Sequence, residues 1–279
     1  MKLLTGNERF KSKGKSLEFN MLDFWRFEFS NIYDMQDEIS EFIVAKALGI
    51  DIPYNKEMWT LYDIDYKGFR IEVKETSYYH PWNKDGKVSK QRSFGITKAN
   101  SSYEHPDEEN KFERQNDIYV FCLVNGNTRE TSNPLDLDNW DFYIVPTLVI
   151  NKECKDNKTI SLNKIKKLGF EAKHYNEIKK EVDRVIAFQM EDAYRYSSNH
   201  KPELENDSIC GCFDCLSIFS PKEIKDWAIA DNPIDKRGTA CCPYCMVDTI
   251  IGESSGYPIT KRFLKQMNHY FMQSNKNDN

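Results

Sequence analysis

The sequence predicts an α/β protein in which a mixed central sheet is flanked by helices and followed by a small cysteine-rich module. Three observations carry that expectation. Apolar and polar residues alternate strictly from Phe69 to Lys74, the period-two signature of a half-buried strand. Ile118-Tyr119-Val120-Phe121-Cys122-Leu123-Val124 is a continuous apolar run opened by Asp117, as a strand covered on both faces requires. Six of the eight cysteines crowd between Cys210 and Cys245.

At 279 residues the chain can bury one good-sized core and an accessory module. A hydrophobic content of 39% with 13% aromatic residues argues against disorder. No run approaches the ~18–20 apolar residues of a membrane helix, and Met1 to Asn7 lacks the apolar core of a signal peptide. A cytoplasmic protein without membrane contact is expected. The net charge of −5 gives no support to a generally basic nucleic-acid binder. Residues 152–180 nevertheless carry nine lysines against four acids, a run suited to phosphate contact or to a solvated helix face.

In chain order, residues 1–20 read as a polar arm, basic in patches. Phe24 to Leu48 reads as helix in two pieces, with Asp37 as N-cap of the second and Gly49 as its stop. Ile39, Phe42, Ile43 and Ala47 share a face of that helix. Glu38 and Glu41 lie three apart, so one of them, Glu41 by preference, can look toward the segment that follows. Next comes a hairpin. With Lys67-Gly68 as a two-residue turn, Tyr66 pairs with Phe69 and Asp65 with Arg70. Asp63 then falls opposite Glu72, with Cβ atoms ~4.5–5.5 Å apart. Thr76 to Lys90 reads as a loop rich in aromatics (Tyr78, Tyr79, His80, Trp82), able to stack on bases or to lid a core edge. Gln91 to Lys98 and Phe142 to Pro146 read as strands, the first with Phe94 and Ile96 inward. Leu162 to Leu168 and Tyr175 to Phe188 read as helices. The aperiodic stretch Tyr196 to Pro202 places a domain boundary there, giving 1–195 and 196–279.

The hairpin also carries the chemistry. Two carboxylates held that close repel unless a cation lies between them, and hard oxygen ligands suit Mg²⁺ or Mn²⁺. Lys74, one pleat along from Glu72, is placed to orient a water or stabilise phosphoryl charge. The plainer reading is a pair of surface ion bridges, Asp65 with Arg70 and Glu72 with Lys74. In the module, Cys212-x-x-Cys215 and Cys242-x-x-Cys245 are two knuckles that can each give two thiolates to one Zn²⁺. Four thiolates close the shell, so such a zinc is structural. Cys210 and Cys241 are spare, Cys122 reads as core, and Cys154 as a lone loop cysteine. The five histidines are scattered, and no phosphate-cradling glycine loop is present.

Asp63 followed by Glu72-Val73-Lys74, after the acidic helix Asp37 to Gly49, resembles the PD-(D/E)xK nuclease superfamily, over about Met21 to Ile150. The resemblance implies a restriction-endonuclease-like core and a metal-dependent endonuclease that hydrolyses DNA, with RNA an open alternative. It implies Asp63, Glu72 and the Val73 carbonyl as Mg²⁺ ligands, Lys74 as the residue placing the attacking water, and Glu41 as an accessory acid. The proline of the family name is absent, since Tyr62 precedes Asp63, and this leaves Asp65 as a substitute for Asp63. Cys210 to Phe271 resembles a treble-clef-like zinc module, which would position DNA, a second copy in a homodimer or a partner protein. By analogy the setting is restriction or phage defence. The alternative is a non-catalytic DNA- or protein-binding protein on a nuclease scaffold.

Overall fold

The computed structural model describes residues 4–30, 35–50, 61–79, 92–100, 112–128, 130–228 and 237–273. The chain divides into two compact units, Met1–Val182 and Asp183–Asn279. Among the described residues no helix is long and apolar enough to cross a membrane.

The first unit begins with a ribbon of β1 (Arg9–Ser12) and β2 (Lys15–Asn20), then α1 (Met21–Glu28). Asn20 and Asp23 form a reciprocal capping box that starts α1, satisfying donors the helix cannot pair itself. Next come α2 (Gln36–Ala47), β3 (Ile64–Tyr66) and β4 (Phe69–Ser77). The short strands β5 (Ser93–Gly95), β6 (Ala99–Asn100) and β7 (Phe112–Glu113) precede β8 (Ile118–Val124) and β9 (Trp140–Pro146). The unit ends with α3 (Thr147–Cys154), β10 (Thr159–Ser161), α4 (Leu162–Lys167) and the start of α5 (Ile178–Tyr194).

A four-stranded sheet in the order β3-β4-β8-β9 forms the centre. Its β4–β8 pair is parallel and the other two are antiparallel, so the sheet is mixed, as the sequence predicts. All seven residues of β8 are buried, which is why that strand shows no alternation. One apolar cluster joins Tyr119, Phe121, Leu123, Tyr143 and Val145 of the sheet to Phe94, Ile96, Ile150, Ile160, Leu162 and Ile165. Phe94 and Ile96 are inward, as expected. Cys154 differs from expectation. It closes α3 and is buried in this cluster.

α2 packs against β4, with two departures from the sequence reading. Met35 is its N-cap and Asp37 lies inside the first turn. The buried stripe is Gln36, Ser40, Ile43 and Val44, rotated from the predicted one, while Phe42 is 53% exposed. Ile39 and Phe42 instead line an apolar groove with Phe29, Met35, Leu135 and Tyr175. Gly49 does end the helix, at φ 77, the left-handed conformation that suits a glycine stop.

The second unit holds the rest of α5, then α6 (Lys201–Leu204), β11 (Cys210–Cys212), β12 (Ile218–Phe219), β13 (Trp227–Ala228), β14 (Thr239–Ala240), β15 (Ile250–Gly252) and α7 (Lys261–Asn268). β12, β11 and β15 make a three-stranded antiparallel sheet, and β13 pairs with β14. Thr260 caps α7 through the Phe263 amide at 3.2 Å, and Phe263, Leu264 and Met267 are buried. A side chain on Gly211 of β11 would meet Leu264 at 2.6 Å, so the helix rests directly on strand backbone.

Candidate functional sites

The hairpin forms as the sequence predicts. Lys67 and Gly68 both have positive φ (55° and 79°), the signature of a type I′ turn. The register is Tyr66 to Phe69, Asp65 to Arg70 and Ile64 to Ile71. Beyond Ile64 the ladder becomes irregular, and Asp63 takes it over. Its amide donates to the Ile71 carbonyl at 3.1 Å. Its Oδ2 accepts from the Val73 amide at 2.8 Å. Asp63 is thus bonded to the residue on each side of Glu72. Asp65 is exposed, and its Oδ1 accepts from the turn amide of Gly68 at 3.2 Å. Asp63, and not Asp65, is therefore the acid beside Glu72. Arg70 is buried, with its guanidinium 5.0 Å from the Tyr62 ring. Asp117 clamps the same residue to β8: its Oδ2 accepts from the Arg70 amide, and its own amide donates to the Arg70 carbonyl.

Lys74 Nζ lies 2.5 Å from Glu72 Oε1. Such a bridge favours the ionised acid, yet burial first and the Asp63 charge second win, and the Glu72 carboxyl is pushed up to about 7, with Glu41 adding to the rise. For Lys74, burial opposes the ammonium, but Glu72, Asp63 and Glu41 outweigh it and raise its pKa. Tyr119, the register neighbour of Glu72 on β8, is raised by burial and by the Glu72 charge. One small region therefore holds Asp63, Glu72 and Lys74 within each other's fields, with Glu41 acting on the last two through charge. Glu41 does not converge with Asp63 and Glu72 on a point. Among the described residues, the only group of three or more His, Cys, Asp or Glu arranged to hold an ion is the cysteine set below.

A carboxylate that the sequence reading passed over lies next door. Glu75 is pushed up to about 8 by burial and by Asp37, against the pull of Arg92. Its Oε1 is buried with no hydrogen-bond partner among the described residues. The signal was available, because Glu75 occupies the apolar parity of Phe69, Ile71 and Val73. Asp37 is raised as well, by partial burial and then by Glu38, with Lys74 opposing. Tyr78 packs against the main apolar cluster. The Arg92 guanidinium lies 4.7 Å from its ring and donates to its carbonyl. His80 and Trp82 of the same loop, and His105, lie outside the described residues.

In the second unit Cys212, Cys215, Cys242 and Cys245 bring their sulfurs within 4.8 Å of one another. Two backbone turns of the same design do this. In the first, the Cys212 amide donates to the Ser217 carbonyl and the Leu216 amide to the Cys212 carbonyl, both at 2.9 Å. In the second, Cys242 with Val247 and Met246 with Cys242 repeat both bonds at 2.9 Å. Leu216 and Met246 take φ of 62° and 65°, turning the chain back after each second cysteine. Across the knuckles, Cys212 and Cys245 are 3.6 Å apart and Cys215 and Cys242 are 3.7 Å. A tetrahedral ion with metal–sulfur bonds of ~2.3 Å sets its sulfurs ~3.8 Å apart, whereas a disulfide needs ~2.05 Å. All eight cysteines are free, so the donor set fits a metal ion. Burial opposes the Cys215 thiolate, but bonds from Ser217 prevail and hold it at about 7. Thr249 Oγ1 sits 3.2 Å from the Cys212 sulfur. Cys210 stays outside the set, a core thiol pushed up to about 12 by burial and by Asp207.

Comparison with models of protein families, with curated proteins and with solved structures finds no match.

Proposed function

We propose that the chain is a cytoplasmic, divalent-cation-dependent nuclease of the PD-(D/E)xK type, hydrolysing DNA phosphodiester bonds at Asp63, Glu72 and Lys74. One observation carries this reading: a single tight hairpin holds Asp63 astride Glu72, close enough for one charge to oppose ionisation of the other. A Mg²⁺ or Mn²⁺ ion held by Asp63 and Glu72 would neutralise both and supply Lewis acidity to a phosphate oxygen. Asp63 uses Oδ2 to fix its own position through the Val73 amide, so Oδ1 is the oxygen it offers to a ligand. Lys74 keeps its proton beside Glu72, and its ammonium is suited to hold a water or to balance charge growing on the phosphoryl group. Glu41 adds negative potential without joining the ligands. The four thiolates suit Zn²⁺ as a structural ion, on a treble-clef-like module that positions DNA, a second copy or a partner protein. A role in restriction or phage defence rests on analogy.

The closed Glu72–Lys74 bridge favours a second reading, a binding protein in which these two residues neutralise each other. Supercoiled, linear and single-stranded DNA and RNA, incubated with Mg²⁺ or Mn²⁺, decide between them. Nicking or degradation that falls by orders of magnitude in Lys74→Ala and Asp63→Asn supports the hydrolase. Absence of cleavage by the wild-type chain, or cleavage indifferent to both substitutions, overturns it.

A further inference from the structure

The β1–β2 ribbon carries a strong excess of positive charge. Its two strands bury none of their ten residues. Lys13 and Gly14, at φ 50° and 80°, close it with a two-residue turn, so its tip is narrow. Arg9, Lys11, Lys13 and Lys15 are all exposed, against Glu18 as the single acid from residue 9 to residue 20. None of these four cations forms an ion pair among the described residues. In the lysine-rich stretch 152–180 four acids are interspersed among the lysines, and Lys164 pairs with Glu153 at 3.2 Å and Lys173 with Glu171 at 3.7 Å. On a chain of net charge −5, the ribbon concentrates four exposed cations without ion pairs within seven residues, 9 to 15. Phe10 and Phe19 support it, their ring centroids 5.1 Å apart across the two strands.

We propose that this ribbon is a binding arm for double-stranded DNA, inserted into the major groove with its lysines and arginine against phosphates. Two strands ~4.8 Å apart with their side chains match the ~12 Å major groove of B-form DNA, which admits a β-ribbon. The major groove of A-form RNA is too deep and narrow for one. Unpaired cations release phosphate counterions without first breaking a bridge of their own, and the narrow ribbon would carry these four into the groove together. The arm goes beyond the hydrolytic reading and does not depend on it, because binding needs no divalent ion.

The test is fluorescence anisotropy of the full chain with labelled duplex DNA in buffer without added divalent cations. Wild type is compared with Lys11→Ala/Lys13→Ala/Lys15→Ala, and with Lys152→Ala/Lys158→Ala/Lys167→Ala, which removes the same charge elsewhere. The ribbon variant should bind ~10–100-fold more weakly at ~100 mM salt and lose ~3 from the salt slope, with the second variant much less affected. An unchanged circular dichroism spectrum checks that neither variant is unfolded, and Lys11→Glu/Lys15→Glu, which leaves the turn intact, repeats the measurement. Equal losses in the two sets, or no loss in the ribbon variants, overturns the proposal. So does ribbon-dependent binding of duplex RNA as tight as that of duplex DNA. Failure of the chain to cleave DNA would leave the binding result standing, so the two readings fall separately.

Discussion

Substituting Glu72 by Gln should make the protein more stable above neutral pH. In the unfolded chain this carboxyl ionises near 4.5, and in the folded sheet near 7. The folded state therefore holds the proton more tightly. Its contribution is fully present below pH 4.5, declines as pH rises through 7 and is absent above. The difference corresponds to ~3 kcal/mol at full extent, and a side-chain exposure of only 19% leaves little solvent screening to reduce it. Glu72→Gln abolishes this loss because the amide resembles the protonated acid. Wild type and variant should have similar urea midpoints at pH 5, and the variant should gain ~1–3 kcal/mol at pH 8, both without divalent ions. Glu75, raised to about 8, imposes a slope of the same sign, so the variant flattens the profile without levelling it. Added Mg²⁺ should restore wild-type stability at pH 8 if Asp63 and Glu72 hold it. Superimposable profiles for the two proteins would refute the claim that burial and Asp63 overcome the Lys74 bridge.

Asp63→Asn keeps an acceptor for the Val73 amide and should cost little stability, whereas Asp63→Ala orphans that donor and should cost ~1–3 kcal/mol by urea denaturation. Elemental analysis should find one metal ion per chain in the wild type, lost in Cys212→Ser and Cys245→Ser and retained in Cys210→Ala. Gly252→Ala would bring a methyl to 2.0 Å from Asp207 Oδ2, the carboxylate that receives the Ser254 amide and hydroxyl. Its stability by urea denaturation should fall accordingly, by the ~1–3 kcal/mol typical of overpacking. Leu123→Ala, in the centre of the main cluster, should cost ~2–5 kcal/mol.

What was legible in the sequence was set by local rules. Lys67-Gly68 fixed the hairpin register because a two-residue loop admits only one pairing. The apolar run from Ile118 announced a covered strand, and two C-x-x-C spacings selected the right four cysteines out of six. The α2 cap and face were not legible. Asp37 is a better cap by type than Met35, but β4 claims the helix along Gln36, Ser40 and Val44 and shifts both its start and its buried stripe. The double duty of Asp63 could not be foreseen either, since it follows from a strand that ends one residue early. Glu75 was visible as a break in parity, and only the packing of Asp37 nearby gives that break a meaning.

β8 also sets a hazard for the protein before it is folded. Its seven residues are apolar and carry neither charge nor proline, the composition of a segment that self-associates when left open. Its parallel partner β4 lies some forty residues upstream, and pairing across such a distance is slow. Production of the protein should therefore be limited by the time this strand spends uncovered, and slower synthesis at low temperature should raise the soluble yield. Asp117, the acid immediately ahead of the run, stands where a gatekeeper charge is needed, so Asp117→Asn, which keeps an acceptor for the Arg70 amide, should appear as inclusion bodies before it appears as lost stability.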